Sequence, residues 1–258
     1  MVEQQSELNN NAYKILLAHI QDLAERSLQE QQPQWTHFLE PPEREAAEAT
    51  LRWVTGVRFN AYGGYSKAER RRLVIYPDYY FAETIQPALA FLQIQAQDTQ
   101  VLSHRDYLGA ILALGLKREK IGDLLVSDVC CQIIVTPELA EFISLNLNDV
   151  GRSHVSIASI EPEQLNLPDR REKEIRTTVA SLRLDALAAL GFGESRTKMA
   201  REIKAERVKV NWKPTKSPDL SLNPGDIISI RGRGRVEFRE VTGKSKKGRI
   251  GILLIRQL

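Results

Sequence analysis

Cysteine is nearly absent from this chain of 258 residues, whose only two cysteines are the neighbours Cys130 and Cys131. Adjacent cysteines rarely bond each other, because the geometry of such a bond is strained. They lie in the segment CCQIIV, which is typical of a buried strand, so we expect two reduced packing residues in a cytoplasmic protein. The four histidines, at positions 19, 37, 104 and 154, are scattered without metal-ligand spacing, and we expect neither a metal site nor a cofactor.

Long apolar runs are also missing. No stretch of about 18 apolar residues occurs, which argues against a membrane span. The polar, acidic start MVEQQSELNNNAYK lacks the basic residues and the apolar core of a secretory signal, and it is too poor in arginine for a transit peptide. We therefore expect a cytoplasmic protein that does not insert into a membrane.

Patterns that would indicate catalysis are incomplete. His104-Arg105-Asp106 resembles a kinase catalytic loop, but Ile111 stands where that loop needs an asparagine, and no glycine-rich phosphate loop precedes it. The segments GFG and RGRG lack the strand-then-helix context of a nucleotide site. Asp185 resembles the catalytic aspartate of pseudouridine synthases, but it falls inside a predicted helix, where a structural hydrogen bond or ion pair is expected. We expect a protein that is not an enzyme.

The charges, in contrast, divide the chain into two parts of opposite sign. Residues 181–258 carry 18 Lys and Arg against 8 Asp and Glu, a net charge of +10, whereas residues 1–180 carry 18 against 25, a net charge of −7. Clustered cations bind polyanions because they neutralise phosphates and release condensed counterions. The C-terminal part is therefore the first candidate for a nucleic-acid interface.

Hydrophobic periodicity organises the acidic part. Apolar residues at helical spacing predict a helix over 8–28, and Pro41-Pro42 predict a second helix over 43–54, with Trp53 docked on the first. Beyond them, short strands alternate with helices, one of which is predicted at 82–90. This alternation predicts a small α/β plait, a sheet with helices on one face.

The predicted fold class is α+β, with an N-terminal helical segment, a middle plait-like domain and a basic C-terminal domain with a small sheet. The predicted boundaries are residues 1–72, residues 73–165, a strand or extended connector at 166–180, and residues 181–258.

Two basic islands interrupt the acidic part. The first, Val57–Arg72, has five basic residues, one acidic residue, two tyrosines and a Gly63-Gly64 turn. It is either an RNA-gripping loop or a basic linker whose tyrosines pack on a neighbouring domain. The second, LKREKIGD, is either an RNA contact or a solvated charge cluster. The candidate RNA-binding residues of the two islands are Arg58, Tyr62, Tyr65, Lys67, Arg70, Lys117, Arg118 and Lys120.

The basic C-terminal part has a regular pattern. Ser181 is the predicted N-cap of a helix over 182–190, with Gly191 supplying a left-handed end. Ser195 caps a second helix that begins at Arg196, and a helix N-terminus suits a phosphate. The cations outside the apolar stripe of this second helix are neighbours at helical spacing and form one band, and alternation exposes a further lysine on the following strand. These cations are Arg196, Lys198, Arg201, Lys204 and, on the strand, Lys209.

The segment SLRLDALAALGFGESRTKMAREIKAERVKVN, with LNPGDIISIRGRGRVEF after it, resembles the S-four RNA-binding domain. The spacing of RLD, SR, the basic helix, VKVN and the PGD turn matches that family. The chain departs from it at Trp212-Lys213-Pro214, where the family has a glycine-led turn after the asparagine. The resemblance implies that RNA is contacted by Arg183, Ser195, Arg196, Lys198, Arg201 and Lys204.

The blocks GGYSKAERRRLVIYP and HRDYLGAILALGLKREKIGD resemble those of the YlmH family, including its cyanobacterial and plastid members called photosystem II S-four domain proteins. The resemblance implies a non-catalytic protein that binds rRNA or tRNA on the large ribosomal subunit in translation quality control. The expected location is the cytoplasm, or the plastid stroma if the chain comes from a photosynthetic eukaryote. A monomer is expected. The alternatives are an RNA-dependent assembly or regulatory factor for photosynthetic gene expression, and an RNA-modifying enzyme.

Overall fold

The computed structural model describes residues 2–98, 100–167, 172–230, 232–244 and 248–257 of the chain. The chain divides into two compact units, residues 1–168 and residues 169–258. Both units combine helices with antiparallel sheets, which confirms the predicted α+β class.

The first unit begins with two helices on a three-stranded sheet. Its elements are α1 (Val2–Glu30), β1 (Gln34–Trp35), α2 (Pro41–Leu51), β2 (Val57–Tyr62) and β3 (Arg72–Pro77), with the strand order β1-β3-β2. Buried residues of both helices, among them Ile20 and Leu51, pack on Leu73 and Ile75 of the sheet. The two predicted helices are confirmed, but Trp53 is 90% exposed and is not docked on α1.

Strand β3 belongs to a different sheet from the one that the sequence predicted. The strand expected to open the plait at residue 73 pairs instead with β2, with Ala61 opposite Leu73, and with β1. The N-terminal region is therefore a helix-and-sheet layer that extends to Pro77. Sequence periodicity identified the strand but not its partners, because pairing is decided by contacts distant along the chain.

The plait occupies the rest of the first unit. It consists of β4 (Ala90–Ala96), α3 (His104–Ala113), β5 (Ile121–Val126), β6 (Cys130–Val135), α4 (Pro137–Asn146), β7 (Asp149–Val150) and β8 (Ser153–Ser159). The strand order is β5-β6-β4-β8-β7, and all the pairs are antiparallel. Tyr107 and Ile111 of α3 and Ile143 of α4 pack on one face of this sheet. The predicted plait is confirmed, and both cysteines lie buried in β6.

The helix predicted at 82–90 is wrong. Only a short 3₁₀ turn forms, at Ala82–Thr84. Pro87 explains the difference, because proline lacks the N–H that a helix needs, clashes with the carbonyl four residues earlier, and pushes the preceding Gln86 out of the helical region.

The second face of the plait is also covered. Phe38, Phe91 and Ile134 form a small apolar cluster on this face, against which Tyr65 and Leu165 pack. On the same sheet the side chain of Gln132, which is 1% exposed, donates to Gln93 Oε1 and to the carbonyl of Gln164, both at 3.0 Å. The N-terminal region and the segment after β8 therefore close the face that the helices leave open.

The second unit is a six-stranded antiparallel sheet with two helices. Its elements are β9 (Glu172–Val179), α5 (Leu184–Phe192), α6 (Arg196–Lys204), β10 (Val208–Val210), β11 (Lys213–Pro214), β12 (Ile227–Ile230), β13 (Gly234–Lys244) and β14 (Ile250–Gln257). The strand order is β11-β10-β12-β13-β14-β9. Leu187 and Met199 of the helices share an apolar core with Phe238 and Ile252 of the sheet. Residues 172–179 of the predicted connector are an edge strand paired with β14, and its residues 168–171 lie outside the described part.

Helix α5 begins and ends later than predicted. Arg183, not Ser181, is its N-cap, and the first turn donates to backbone carbonyls: Leu184 N to Leu220 O at 2.8 Å and Asp185 N to Pro218 O at 2.9 Å. The left-handed residue after the helix is Gly193, with φ 69°, rather than Gly191. A segment more than 30 residues away thus replaces the side-chain cap.

Candidate RNA-binding interface

Helix α6 forms the centre of the candidate interface. The Ser195 hydroxyl accepts a hydrogen bond from Lys198 N at 3.2 Å, which confirms the predicted cap. Met199 and Ile203 are fully buried. The four predicted cations of the helix are all exposed, so the band expected from the sequence forms on the solvent side of the helix. We call this set the α6 band: Arg196, Lys198, Arg201 and Lys204.

Asp185 holds two of the candidate arginines. Arg196 Nη2 lies 3.0 Å from both carboxylate oxygens of Asp185, and Arg183 places Nε and Nη2 at 3.2 Å from Oδ1 and Oδ2. The Asp185 side chain is only 8% exposed, and burial raises its pKa, but the hydrogen bonds from the two arginines hold the pKa below its usual value. The predicted structural role of Asp185 is confirmed, and it fixes the direction of two guanidinium groups.

Glu194 orients a second pair of cations. Its Oε1 accepts from Lys198 Nζ at 2.7 Å and from Arg233 Nη1 at 2.9 Å. The hydrogen bond from Lys198 lowers the pKa of Glu194. Arg233 was missed as a candidate, although the RGRGR run was a compositional signal, because nothing in the sequence places that run beside α6.

Arg201 and Lys204 differ from these cations. Over the ranges that the structure describes, neither has a salt-bridge partner, and both are exposed in the last turn of α6. They can meet phosphates without first breaking an internal ion pair. Lys209 is exposed on β10, as alternation predicted.

Asn211 links the VKVN and PGD motifs. Its Nδ2 donates to Asp226 Oδ1 at 2.8 Å, and its Oδ1 accepts from Ile227 N at 2.9 Å. Asp226 in turn accepts from Asn223 N at 2.7 Å. The spacing of these motifs therefore reflects one hydrogen-bonded junction that joins β10 to the start of β12.

The first basic island is largely built into the fold. Arg70, whose side chain is 9% exposed, donates to the carbonyls of Ile121 at 3.0 Å and Phe38 at 3.1 Å, and pairs with Glu40 at 2.9 Å. It is inaccessible to RNA, which corrects its place among the candidates. The Tyr65 hydroxyl donates to Asp123 Oδ2 at 2.8 Å, so the alternative of a tyrosine packed on the neighbouring domain describes this residue.

Arg58 and Lys67 of the same island are exposed, and Tyr62 is half-buried against Trp35, with ring centroids 5.7 Å apart. Contact of these residues with RNA stays a prediction.

The second island is divided in the same way. Arg118 turns inward and donates to the carbonyls of Ile121 at 2.6 Å and Gly122 at 2.9 Å. Burial and the nearby Arg70 lower the pKa of Arg118 to about 10. Lys120 pairs with Glu138 at 3.3 Å, and the exposed Lys117 lies 3.9 Å from Glu119. Arg118 is thus mainly structural, while Lys117 is exposed and Lys120 is half-buried.

The residues considered for catalysis have structural partners. Asp106 of the HRD segment caps α3, where it accepts from Ser103 N at 2.8 Å and from Ser103 Oγ at 2.7 Å. In the described ranges no cluster of His, Cys, Asp and Glu has the arrangement of a metal site. Within the same ranges, no helix is both long enough and apolar enough to cross a membrane.

Comparison with known proteins gives three family matches that follow one another along the chain. The model described as "YlmH, N-terminal" matches residues 14–80, "Putative RNA-binding domain in YlmH" matches residues 88–164, and "S4 domain", the S-four domain, matches residues 182–228. The first match ends just after β3, in agreement with the sheet to which that strand belongs.

Two individual proteins are similar to the chain. A Bacillus subtilis (strain 168) protein named "Ribosome-associated protein quality control protein P2" is 38% identical over 225 residues, which cover 86% of each chain. The solved structure of "Cell division protein ylmH from Streptococcus pneumoniae" aligns with a TM-score of 0.50 at 20% identity, over 59% of this chain and 94% of the other. At that identity the second likeness concerns the fold alone.

Proposed function

The chain belongs to the YlmH family of S-four-domain proteins, and from this premise we propose that it binds rRNA, tRNA or both on the large ribosomal subunit, as a non-catalytic factor in translation quality control. The name of its Bacillus relative supports the ribosome as the place of action and quality control as the process. We further propose that it acts in the cytoplasm as a monomer.

The observation that supports RNA binding is that α6 and its surroundings carry two kinds of cation, some oriented by ion pairs and some without them. Asp185 and Glu194 fix the directions of Arg183, Arg196, Lys198 and Arg233, while Arg201 and Lys204 stay without internal ion pairs among the described residues. Oriented cations need little further ordering when they meet phosphates, and unpaired ones lose no existing bond. Such contacts supply position and most of the affinity.

Recognition by this face would depend on RNA shape. The deep, narrow major groove of A-form RNA does not admit side chains that read bases, so a rigid cationic face senses the spacing of phosphates. In the plait, the sheet face free of helices is already covered by Phe38 and Leu165. Any RNA contact of that domain is therefore expected at its edges and loops, where Lys117 and Lys120 lie.

The experiment is co-sedimentation of the full chain with ribosomes. The variant Arg201→Glu/Lys204→Glu should bind at least about ten-fold more weakly, because two phosphate contacts become repulsions. Arg196 is left unchanged, since a glutamate there would face the buried carboxylate of Asp185. The matched control is Lys173→Glu/Arg176→Glu, with the same change in charge on β9, at the opposite edge of the sheet from β10 and β11.

Binding measured across salt concentrations completes the test. With about six phosphate contacts, the logarithm of the affinity should fall with the logarithm of the salt concentration with a slope of about −4 to −5. The α6 variant should have a shallower slope, and the β9 control should match the unchanged protein. Equal binding by all three folded proteins would contradict the proposal.

A further inference from the structure

The turn between β10 and β11 contains an unusual residue. Val210 pairs with Lys213, so that Asn211 and Trp212 alone form the two-residue turn. Both are in the left-handed region, with φ 48° and φ 64°. Such turns favour asparagine followed by glycine, because glycine has no side chain to clash with the backbone in this region. A tryptophan at the second position is strained.

The surrounding structure enforces this strain. The side chain of Asn211 is fixed to Asp226 and to the backbone of Ile227, at 2.8 Å and 2.9 Å. Its backbone N–H also donates to the carbonyl of Ile227 at 2.9 Å. With Asn211 held at three points and Lys213 held by the strand pair, Trp212 has no freedom to adopt an extended backbone.

The side chain of Trp212 is not part of the apolar core of this unit. In the described part of this unit, the half-buried apolar residues packed against the core are Ile175, Leu182, Val210 and Ile250, and Trp212 is not among them. The indole is half-buried at the edge of the sheet, and the guanidinium carbon of Arg235 lies 5.9 Å from its ring centroid. A large aromatic ring thus lies outside the core at a position where glycine would fit without strain.

The charges around the ring favour nucleic acid. Lys209 precedes the turn on β10 and Lys213 follows it on β11, and both are exposed. Lys209 lies on the same face of the sheet as Arg235, because Lys209 pairs with Ser229 and Ser229 pairs with Arg235. Lys213 pairs with Val210 and lies on the other face. Proteins that hold single-stranded nucleic acid combine an aromatic ring for the base with nearby cations for the backbone. Strained residues that a fold maintains are common at binding sites.

We propose that Trp212 stacks on an unpaired base of the bound RNA, with Lys209, on the same face as Arg235, contacting a neighbouring phosphate. The ligand class is a single-stranded or bulged RNA segment, because a duplex keeps its bases stacked within the helix. The inference rests on the proposed RNA-binding function and adds a second type of contact to it. The α6 band binds phosphates irrespective of pairing, whereas Trp212 requires an unpaired base.

The test uses the full chain and two RNAs, a stem-loop with unpaired loop bases and a blunt duplex of its stem. Trp212→Gly should weaken binding of the stem-loop by about five-fold to one hundred-fold, the range expected for the loss of one stacked base. Binding of the duplex should stay unchanged. The Tm should stay the same or rise, because glycine relieves the strain. The control Trp53→Gly removes an exposed tryptophan from the other unit and should leave both affinities unchanged.

Fluorescence provides an independent readout. Trp35 and Trp53 are the other two tryptophans of the chain, so Trp35→Phe/Trp53→Phe leaves Trp212 as the only indole. The stem-loop should quench its emission, and the duplex should not. Trp212→Phe, which keeps an aromatic ring, should retain part of the preference for the stem-loop.

The outcomes separate the two proposals. If Arg201→Glu/Lys204→Glu weakens binding of both RNAs but Trp212→Gly changes neither, the stacking proposal is overturned and the RNA-binding proposal stands. A fall in Tm with equal loss of both RNAs would identify Trp212 as a packing residue and would also overturn stacking. If the unchanged protein binds neither RNA, both proposals fail.

Discussion

Arg196 Nη2 lies 3.0 Å from both carboxylate oxygens of Asp185, and this contact joins the first turn of α6 to the first turn of α5. The carboxylate is nearly buried, while the arginine keeps an exposed side chain. A buried charge therefore fixes the direction of a surface cation. Arg183 is held by the same carboxylate, so one aspartate positions two candidate RNA contacts.

Asp185→Asn should weaken RNA binding and lower stability together. The neutral amide loses the ion pairs with Arg183 and Arg196, and one of its polar atoms is a donor that faces their N–H groups. We expect a loss of about 1–3 kcal/mol in the free energy of unfolding, the usual range for a disrupted, mostly buried polar contact. RNA affinity should fall several-fold, because the two guanidinium groups lose their common orientation. Urea unfolding and filter binding measure the two effects.

A matched control is Glu202→Gln, which removes a carboxylate that holds Arg207 at 2.6 Å at the protein surface. Exposed ion pairs contribute little, so its unfolding free energy should change less than that of Asp185→Asn. If Asp185→Asn leaves both stability and RNA affinity unchanged, the positioning role of Asp185 is wrong.

The stability difference between the unchanged protein and Asp185→Asn should depend on pH. Burial raises the pKa of Asp185, but the hydrogen bonds from Arg183 and Arg196 outweigh it and lower the pKa in the folded state. A group with a lowered folded pKa stabilises the fold above its unfolded pKa, near 4, and loses that contribution as the pH falls through the folded value. The difference should be constant from about pH 5 to 7 and should shrink below about pH 4. Urea unfolding of both proteins at each pH is the measurement, and a difference that does not change would contradict the assignment.

The sequence predicts the parts of the interface whose interacting residues are close together along the chain, and it misses the parts whose partners are distant along the chain. The start of α6 was predicted correctly because its signals are local: Ser195 three residues before Lys198, and apolar positions at helical spacing. The start of α5 was not, because its first N–H groups bond to carbonyls at Pro218 and Leu220. Only the folded chain brings that segment to the helix.

The same reasoning explains which basic residues were misjudged. Charge patterns cannot distinguish an exposed arginine from a buried one, and the acceptors of Arg70 at Phe38, Glu40 and Ile121 lie in two segments distant from it along the chain. Tyr65 is similar, because its partner Asp123 belongs to the plait. The exposure of the α6 band follows from the pattern of one helix, whereas the burial of Arg70 and the contact of Tyr65 in the first basic island follow from the packing of the N-terminal region on the plait.

Arg70→Ala should destabilise the first unit without weakening binding by the α6 band. It removes the Arg70 donor from the buried carbonyl of Phe38, while the carbonyl of Ile121 keeps its hydrogen bond from Arg118, and we expect a loss of about 1–3 kcal/mol in the free energy of unfolding. The exposed Lys67 of the same loop provides the control, since Lys67→Ala should leave stability unchanged. Thermal unfolding and RNA binding below the transition measure both. An unchanged Tm combined with weaker RNA binding would return Arg70 to the RNA contacts.

Gly191→Ala should destabilise the second unit, because α5 packs on the sheet at this position without space for a side chain. A Cβ at this position would lie 2.6 Å from Cγ1 and 2.7 Å from Cγ2 of Val236, which is fully buried on β13. Overpacking of this kind costs about 1–3 kcal/mol. Because the clash is with methyl groups, Val236→Ala should cost less stability in the Gly191→Ala background than in the unchanged protein. Urea unfolding of the two single variants and the double variant gives this coupling, and strictly additive losses would show that the contact of Gly191 with Val236 is not what excludes a side chain.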